Sequence, residues 1–172
     1  VAVVILAIDP GPVESAWVTY ANGRPHYFAK QPNHEGRDVV ADAFAKGLYV
    51  CIEMIASYGM PVGAEVFETC LWIGRFAEVD GDRAERLTRS MVKLHLCQSP
   101  RANDATVRQA ILDRYGGKDA AIGKKKTPGP LYGLHGDCWA ALAVAITASE
   151  TGKRYVWPPI NPAEPATQEN NA

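Results

Sequence analysis

Three carboxylates stand where a folded chain can bring them together: Asp9, Glu53 and Asp137. Asp9 ends the apolar run VVILAI and is followed by Pro10 and Gly11. Glu53 ends a second run, LYVCI, and Asp137 follows His135 at the entry to a small-residue stretch, CWAALAVAIT. Acids at the ends of rigid strands are better fixed than acids in loops. On adjacent parallel strands, about 4.8 Å apart, two such anions repel and raise each other's pKa unless a cation joins them. Hard oxygen ligands with open positions suit Mg2+, or Mn2+ in its place, rather than zinc. The chemistry such a cluster supports is in-line phosphodiester hydrolysis, with water activated and the leaving oxygen stabilised. Asp9 alone would equally well open an Asp-Pro-Gly turn; the second strand-end acid and the late one turn the balance toward a metal site.

The elements that must present these acids follow from the apolar pattern. Residues 3–8 are six apolar residues in a row, four of them β-branched, too short for a buried helix and suited to a strand covered on both faces. Asn22-Gly23, between β-prone runs at 16–20 and 24–29, predicts a hairpin, so the first strand opens a three-stranded antiparallel meander. Residues 33–46, with Glu35 early and Val39, Val40, Ala43 and Phe44 inward, predict a helix ended by Gly47. The strand at 48–52 would then pair in parallel with the first. A helix from about 64 to 78 carries two apolar stripes, one of Val66, Cys70, Ile73 and Ala77, the other of Phe67, Leu71 and Gly74 with Trp72 beside them. It needs cover on two sides: either a second copy in an isologous dimer or a wholly internal position. Residues 82–90 read as a short basic helix or turn. Residues 91–97 (MVKLHLC) alternate as a half-buried fifth strand would. Asn103 or Asp104 caps a helix to residue 115 with Val107, Ala110 and Ile111 inward. Residues 116–131 read as a flexible basic loop without a core element, 132–151 as a final apolar helix laid on the sheet, and 158–172 as a Pro-rich polar tail after one domain spanning 1–157.

At 172 residues, 47% hydrophobic and 22% charged, the chain can bury a core without staples and has the balance of neither a disordered nor a membrane chain. No window approaches the ~18 uninterrupted apolar residues of a membrane helix. The apolar start has no basic leader and no small-residue cleavage site, so cytoplasm is the expected compartment. Cys51, Cys70, Cys97 and Cys138 lack paired spacing and are expected as reduced core residues rather than zinc ligands or disulfides. The net charge of −1 hides an asymmetry: residues 83–126 hold eleven Lys or Arg against four acids, the rest seven against fifteen. A basic quarter in a near-neutral chain fits a polyanion-binding face, as well as an ordinary solvated surface.

The order of these pieces resembles the ribonuclease H-like fold and, within it, the RuvC-like Holliday junction resolvases, above all their phage-type members. The segments that match are LAIDPG, CIEM with the aromatic-containing loop after it, FETCLWIGRF, KLHLCQSPRANDATVRQAILDRYG, KKKTPGPLYG and HGDCWAALAVAIT, which together run to about residue 151. Each is weak alone; the combination is specific. The resemblance implies an α/β fold with a five-stranded mixed sheet flanked by helices, a homodimer, and Mg2+-dependent, paired and symmetrical incision of four-way DNA junctions. It makes Asp9 and Glu53 catalytic metal ligands. In the last helix such proteins usually offer two acidic or His/Asp positions three apart, whereas this chain has His135 and Asp137, two apart. One register gives Asp137 and Ala140, the other Leu134 and Asp137. Asp137 is a ligand in both, and His135 is left as a general base or outer-sphere group, or as a solvated histidine at a helix start. Lys93, Arg101, Lys124, Lys125 and Lys126 would meet DNA phosphates. The resemblance also places an aromatic wedge in the loop after Glu53. Tyr58 is its candidate for stacking at the junction centre, although the closest register puts Ala56 there, with Met54 and Met60 as rivals and packing against the dimer helix as the alternative.

Nucleases of the same fold acting on other branched DNA or on RNA:DNA hybrids would carry the same acids. An actin-like ATP-binding fold also has a phosphate loop after a strand, but it needs two such lobes, and Asp80-Gly81 has no apolar strand before it. A catalytically inactive nucleic-acid-binding module would have lost its metal ligands, and three acids stand.

Overall fold

The structure is a computed structural model in which residues 3–57 and 59–152 are described. Tyr58 and the expected tail at 158–172 lie outside the described residues.

A five-stranded mixed sheet runs in the order β3-β2-β1-β4-β5. Its central strand β1 (Ile5–Asp9) pairs antiparallel with β2 (Glu14–Ala21) and parallel with β4 (Tyr49–Met54). β3 (Arg24–Pro32) continues the meander, and β5 (Glu85–Thr88) lies parallel to β4. The β2–β3 turn has positive φ at both Asn22 (52°) and Gly23 (76°), the conformation whose twist matches the flanking strands. Helices α1 (Asn33–Ala45) and α2 (Ala64–Val79) pack on one face. Helices α3 (Arg89–Cys97), α4 (Asp104–Arg114) and α6 (Cys138–Thr151) pack on the other, with the short α5 (Lys118–Ile122) and the hairpin of β6 (Gly123–Lys124) and β7 (Thr127–Pro128) connecting α4 to α6.

Strand alternation sorts the core into two halves. Leu6, Ile8, Val50 and Ile52 pack with Ile73, Phe76 and Ala77 of α2, whereas Ile5, Ala7, Cys51 and Leu87 pack on the α6 side. Between Cys138 and Ala148 every residue of α6 but Ala140 is buried, as its composition of small and aliphatic residues requires.

The turn after Asp9 is pinned by side chains. The Gly11 N–H donates to Ser15 Oγ (3.3 Å), Ser15 Oγ donates to Asn33 Oδ1, and Asn33 Nδ2 donates to the Gly11 carbonyl (2.9 Å). A Cβ on Gly11 would lie 2.4 Å from the Glu14 carbonyl oxygen. Gly11→Ala is therefore expected to destabilise the fold by about 1–3 kcal/mol, the range for overpacking, seen as a lower urea midpoint at unchanged slope. An unchanged midpoint would mean that the turn relaxes at no cost.

Several segments depart from what the sequence leads one to expect. Residues 91–97 are helical and not the fifth strand. Thr88 Oγ1 caps the helix by accepting the Met91 N–H (3.4 Å), and the buried residues Val92 and Leu96 are four apart, a helical spacing. The fifth strand is ERLT, within the stretch expected as a basic helix or turn. Its Glu85 is buried, where it accepts hydrogen bonds from the Tyr49 hydroxyl and the Cys51 thiol. Residues 116–131 do contribute to the core, through the fully buried Ala121 and Leu131. Gly129 there has no room for a side chain, since a Cβ would lie 2.3 Å from the Ala121 carbonyl oxygen. α6 starts at Cys138, later than the expected 132, because the chain first passes through positive φ at Gly133 and Gly136. In α2 the inner face is Thr69, Ile73, Phe76 and Ala77, while Cys70 is exposed and Val66 half-buried. Phe44 is also exposed, with the Arg83 guanidinium 4.5 Å over its ring. Among the described residues no helix is long and apolar enough to cross a membrane.

Candidate active site

Register and strand parity assemble the site. Ile8 pairs with Ile52, so Asp9 and Glu53 are neighbours at the same end of parallel strands. Asp9 lies two residues beyond Ala7 and Glu53 two beyond Cys51, so both project to the α6 face. Ala16 pairs with Asp9, Lys30 with Ala16, and Glu53 with Leu87. One cross-sheet row therefore runs Lys30, Ala16, Asp9, Glu53, Leu87, and Arg89, two beyond Leu87, opens α3 beside it. Asp137 stands at the N-cap of α6, the helix that covers β1 and β2.

Asp9 and Glu53 are hydrogen-bonded to each other through their carboxyls. Burial, then that bond and the Glu53 charge, push Asp9 from an ordinary 3.8 up to about 9, with Arg89 pulling the other way. Two carboxyls buried this close oppose each other's ionisation, so the pair holds a proton more tightly than an isolated acid would. Arg89 Nη1 is 3.6 Å from Glu53 Oε1, and its Nη2 donates to Asp104 Oδ1 at 2.7 Å. Burial would lower the Arg89 pKa, but the charge of Glu53 and the bond to Asp104 outweigh it, and the same bond holds Asp104 below the usual carboxylate range. Asp137 is committed elsewhere. Lys30 Nζ lies 2.8 Å from its Oδ2 and 3.8 Å from Glu14, and Asp137 makes no side-chain cap on its own helix.

A cleft of about 140 Å³ opens over the pair. Asp9, Glu53 and Asp137 line one side, and Arg89, Lys93, Asp104 and Arg108 of α3 and α4 line another. Trp139 is also in its wall, with the Arg108 guanidinium 4.4 Å over the ring. A second cavity of about 200 Å³ shares Asp9, Glu53 and Arg89 and is otherwise lined by Pro10, Met54, Ile55 and Ala56.

Of the residues expected from the sequence, Asp9, Glu53, Asp137 and Lys93 come together in this cleft, with Lys93 3.9 Å from Asp104. His135 does not line it. Its Nδ1 is 2.9 Å from the Gly133 carbonyl and its ring meets Phe28 edge-on at 6.3 Å between centroids, so it is not poised as a base on the acid pair. Arg101 and the Lys124–Lys126 run are exposed and also outside the cleft lining. Ala140 lines the cleft whereas Leu134 is buried in the core. The position three beyond Asp137, where the resemblance expects a second ligand, is therefore a methyl group. Lys30, Arg89, Asp104 and Arg108 carry no local signal in the sequence that marks them for the site.

The donor set fits a hard cation in part. Asp9 and Glu53 present carboxylate oxygens to one another, and their mutual repulsion is what a cation would relieve. Among the described residues, however, no three Asp, Glu, His or Cys side chains surround one point. With Asp137 drawn to Lys30, the expected three-acid cage is a pair with a third acid alongside.

Sheet order and flanking helices define an α/β, ribonuclease H-like fold. No protein-family model matches the chain, and no curated protein matches it. Among solved structures it is similar to RuvC of Thermus thermophilus, at 18% identity and a TM-score of 0.52 over 87% of this chain and 96% of that one. It is likewise similar to T. thermophilus RuvC in complex with a Holliday junction substrate, at 18% identity and a TM-score of 0.54 over 87% and 94% of the two chains. The fold is that of RuvC.

Proposed function

We propose that the protein is a metal-dependent endonuclease that resolves four-way DNA junctions as a homodimer. One observation carries this reading: two touching strand-end carboxyls share a cleft with Arg89, Lys93 and Arg108, acids suited to a cation facing bases suited to a phosphodiester. A similar structure holding a Holliday junction supports the substrate class. Mg2+, with Mn2+ in its place, would be held by Asp9 and Glu53, and Asp137 is the third candidate in competition with Lys30. Such a cation supplies a more acidic water and offsets charge on the phosphate oxygens. Lys93 and Arg108 hold flanking phosphates, which sets affinity without reading sequence. In each cut a water oxygen bonds to phosphorus and gives up one proton as the bond from phosphorus to the leaving sugar oxygen breaks, and the leaving oxygen takes up one proton. Cytoplasm is the compartment this activity fits.

A second reading is favoured by Ala140 and by the Lys30–Asp137 pair: a module that binds junctions without cutting them. Incubating the protein with a four-way junction, a fork, a linear duplex and an RNA:DNA hybrid, each with Mg2+, Mn2+ or a chelator, separates the two. Cation-dependent paired nicks confined to the junction are expected. Tight junction binding with no product under either cation establishes the inactive module, and equal cutting of the other substrates removes junction selectivity.

Lys124, Lys125 and Lys126 stand together on an exposed part of the β6–β7 hairpin. Replacing all three with Ala should weaken junction binding and flatten its dependence on log salt by up to about 3, roughly one for each phosphate that the hairpin no longer neutralises. A slope identical to wild type would mark the hairpin as a bystander.

A further inference from the structure

We propose that Arg89 is the catalytic residue that grips the non-bridging oxygens of the phosphodiester under attack, with Asp104 as its resting counter-ion, displaced by the substrate; this rests on the nuclease reading above. Among the described residues, Asp9, Glu53 and Arg89 are the three that line both cavities, the basic cleft and the apolar one. A strand whose phosphate lies over the acid pair spans the two. At that boundary the acid pair repels a phosphate, and among the described residues the single cation is Arg89.

Its placement follows from the fold. Leu87 is in register with Glu53 and faces the α6 side, so Arg89, two residues on, emerges beside Glu53 as α3 begins. Its guanidinium has five donors in a rigid fork. One nitrogen donates to Asp104 and another lies 3.6 Å from Glu53, while the side chain stays about half exposed (47%). Asp104 holds it from the most exposed end of the pair, with 76% of its side chain accessible, and exposed ion pairs of this kind are weak. A phosphodiester offers the same two-oxygen, singly charged face as a carboxylate and matches the fork bidentately. Exchange of Asp104 for substrate thus keeps Arg89 paired in both states, and leaves Glu53 with a cationic neighbour throughout.

The test compares wild type with Arg89→Ala, Arg89→Lys, Asp104→Asn and the Arg89→Ala/Asp104→Asn double variant. Single-turnover junction cleavage should fall about 10²–10³-fold in Arg89→Ala, the loss typical of one preorganised transition-state donor. Junction affinity should change less than about 3-fold, because flanking phosphates dominate binding. Millimolar guanidinium should restore part of the Arg89→Ala rate, which no purely structural role predicts, and Arg89→Lys should be intermediate. Asp104→Asn should tighten junction binding more in the Arg89 background than in the Arg89→Ala background, where the release of Lys93, 3.9 Å from Asp104, is what remains. A plain electrostatic effect of losing one acid would be equal in both. Independently of cleavage, the dinucleotide TpT, which carries a single phosphodiester, should shift the Arg89 Nε–H resonance in spectra of the wild-type protein. If wild type cuts junctions and Arg89→Ala cuts them as fast, the proposal is overturned while the nuclease reading stands. If wild type cuts nothing, the nuclease reading fails, and an unshifted Arg89 resonance with TpT removes the phosphodiester contact as well.

Discussion

Asp9→Asn is expected to abolish junction cleavage and, in the same molecule, to make the cation-free protein more stable. The first effect follows from charge. An amide keeps the shape of the carboxyl but cannot share a dication with Glu53, so cleavage should drop by at least about 10²–10³-fold, with junction binding near normal. Glu53→Gln and Asp137→Asn should act in the same direction, and wild-type rates in the Asp137 variant would remove that residue from the site. The second effect follows from the raised pKa. Asp9 sits at about 9 in the fold against an ordinary 3.8, so the unfolded chain loses this proton near pH 4 while the folded chain keeps it to about pH 9. The stability contributed by this group is complete below pH 4 and drains away as pH rises through that window. Melting of the wild-type protein in chelator should therefore fall between pH 5 and pH 9, and less steeply in Asp9→Asn. Added Mg2+ should raise the wild-type midpoint at pH 8 and leave the variant where it was. An Asp9→Asn protein that melts below wild type at pH 8 without cation would show that the acid pair is no source of strain.

How much of this site could be read in advance depended on how local its signals are. Asp9 and Glu53 announce themselves because each directly follows an apolar strand, and the Asn22-Gly23 hairpin because its two residues tolerate the positive φ they adopt. Lys30 was hidden by one residue. Counting outward from the turn, Tyr20 pairs with Pro25, yet Thr19 pairs with Tyr27, so an irregularity at Thr19/Tyr20 shifts the register by one. An unbroken ladder would have set Ala29 across from Ala16; the shift sets Lys30 there, on the row of Asp9 and within 2.8 Å of Asp137. Arg89 was hidden by the misplaced fifth strand. ERLT carries two charged residues in four, and the buried Glu85 is accommodated by partners on a neighbouring strand, the Tyr49 hydroxyl and the Cys51 thiol among them. MVKLHLC looks alternating, but its Val92 and Leu96 meet the core at helical spacing under a Thr88 cap. With that strand drawn six residues too late, the residue beside Glu53 could not be named. For His135 the sequence left a base and a solvated helix-start histidine both open, because proximity to Asp137 in sequence says nothing about direction; in the structure its ring stands edge-on to Phe28.

Leu71→Glu is expected to convert the proposed dimer into a folded monomer. On α2 the core-facing set of Thr69, Ile73, Phe76 and Ala77 is satisfied within the domain, which leaves Phe67 and Leu71, four apart, on the outer side at 61% and 55% exposure. Gly74 continues that side, with open space where a Cβ would be, and Met60 and Val62, ahead of the helix in sequence, are exposed as well. Contiguous apolar surface of this kind is rare on monomers, and a helix face closes most simply on its own copy about a two-fold axis. Phe67 of each protomer would then cross the bare backbone at Gly74 of the other. A glutamate at position 71 would bring two like charges to the axis and bury them unpaired, a cost of several kcal/mol, whereas Leu71→Ala removes only apolar area and should weaken the dimer without abolishing it. Since residue 71 faces away from the core, the Leu71→Glu monomer should keep the wild-type far-ultraviolet spectrum. It should also nick a four-way junction on one strand at a time, because two cuts in one binding event need two clefts on one assembly. Sedimentation at micromolar concentration decides the matter: a wild-type protein that already runs as a monomer there would refute the α2 interface, and paired incision with it.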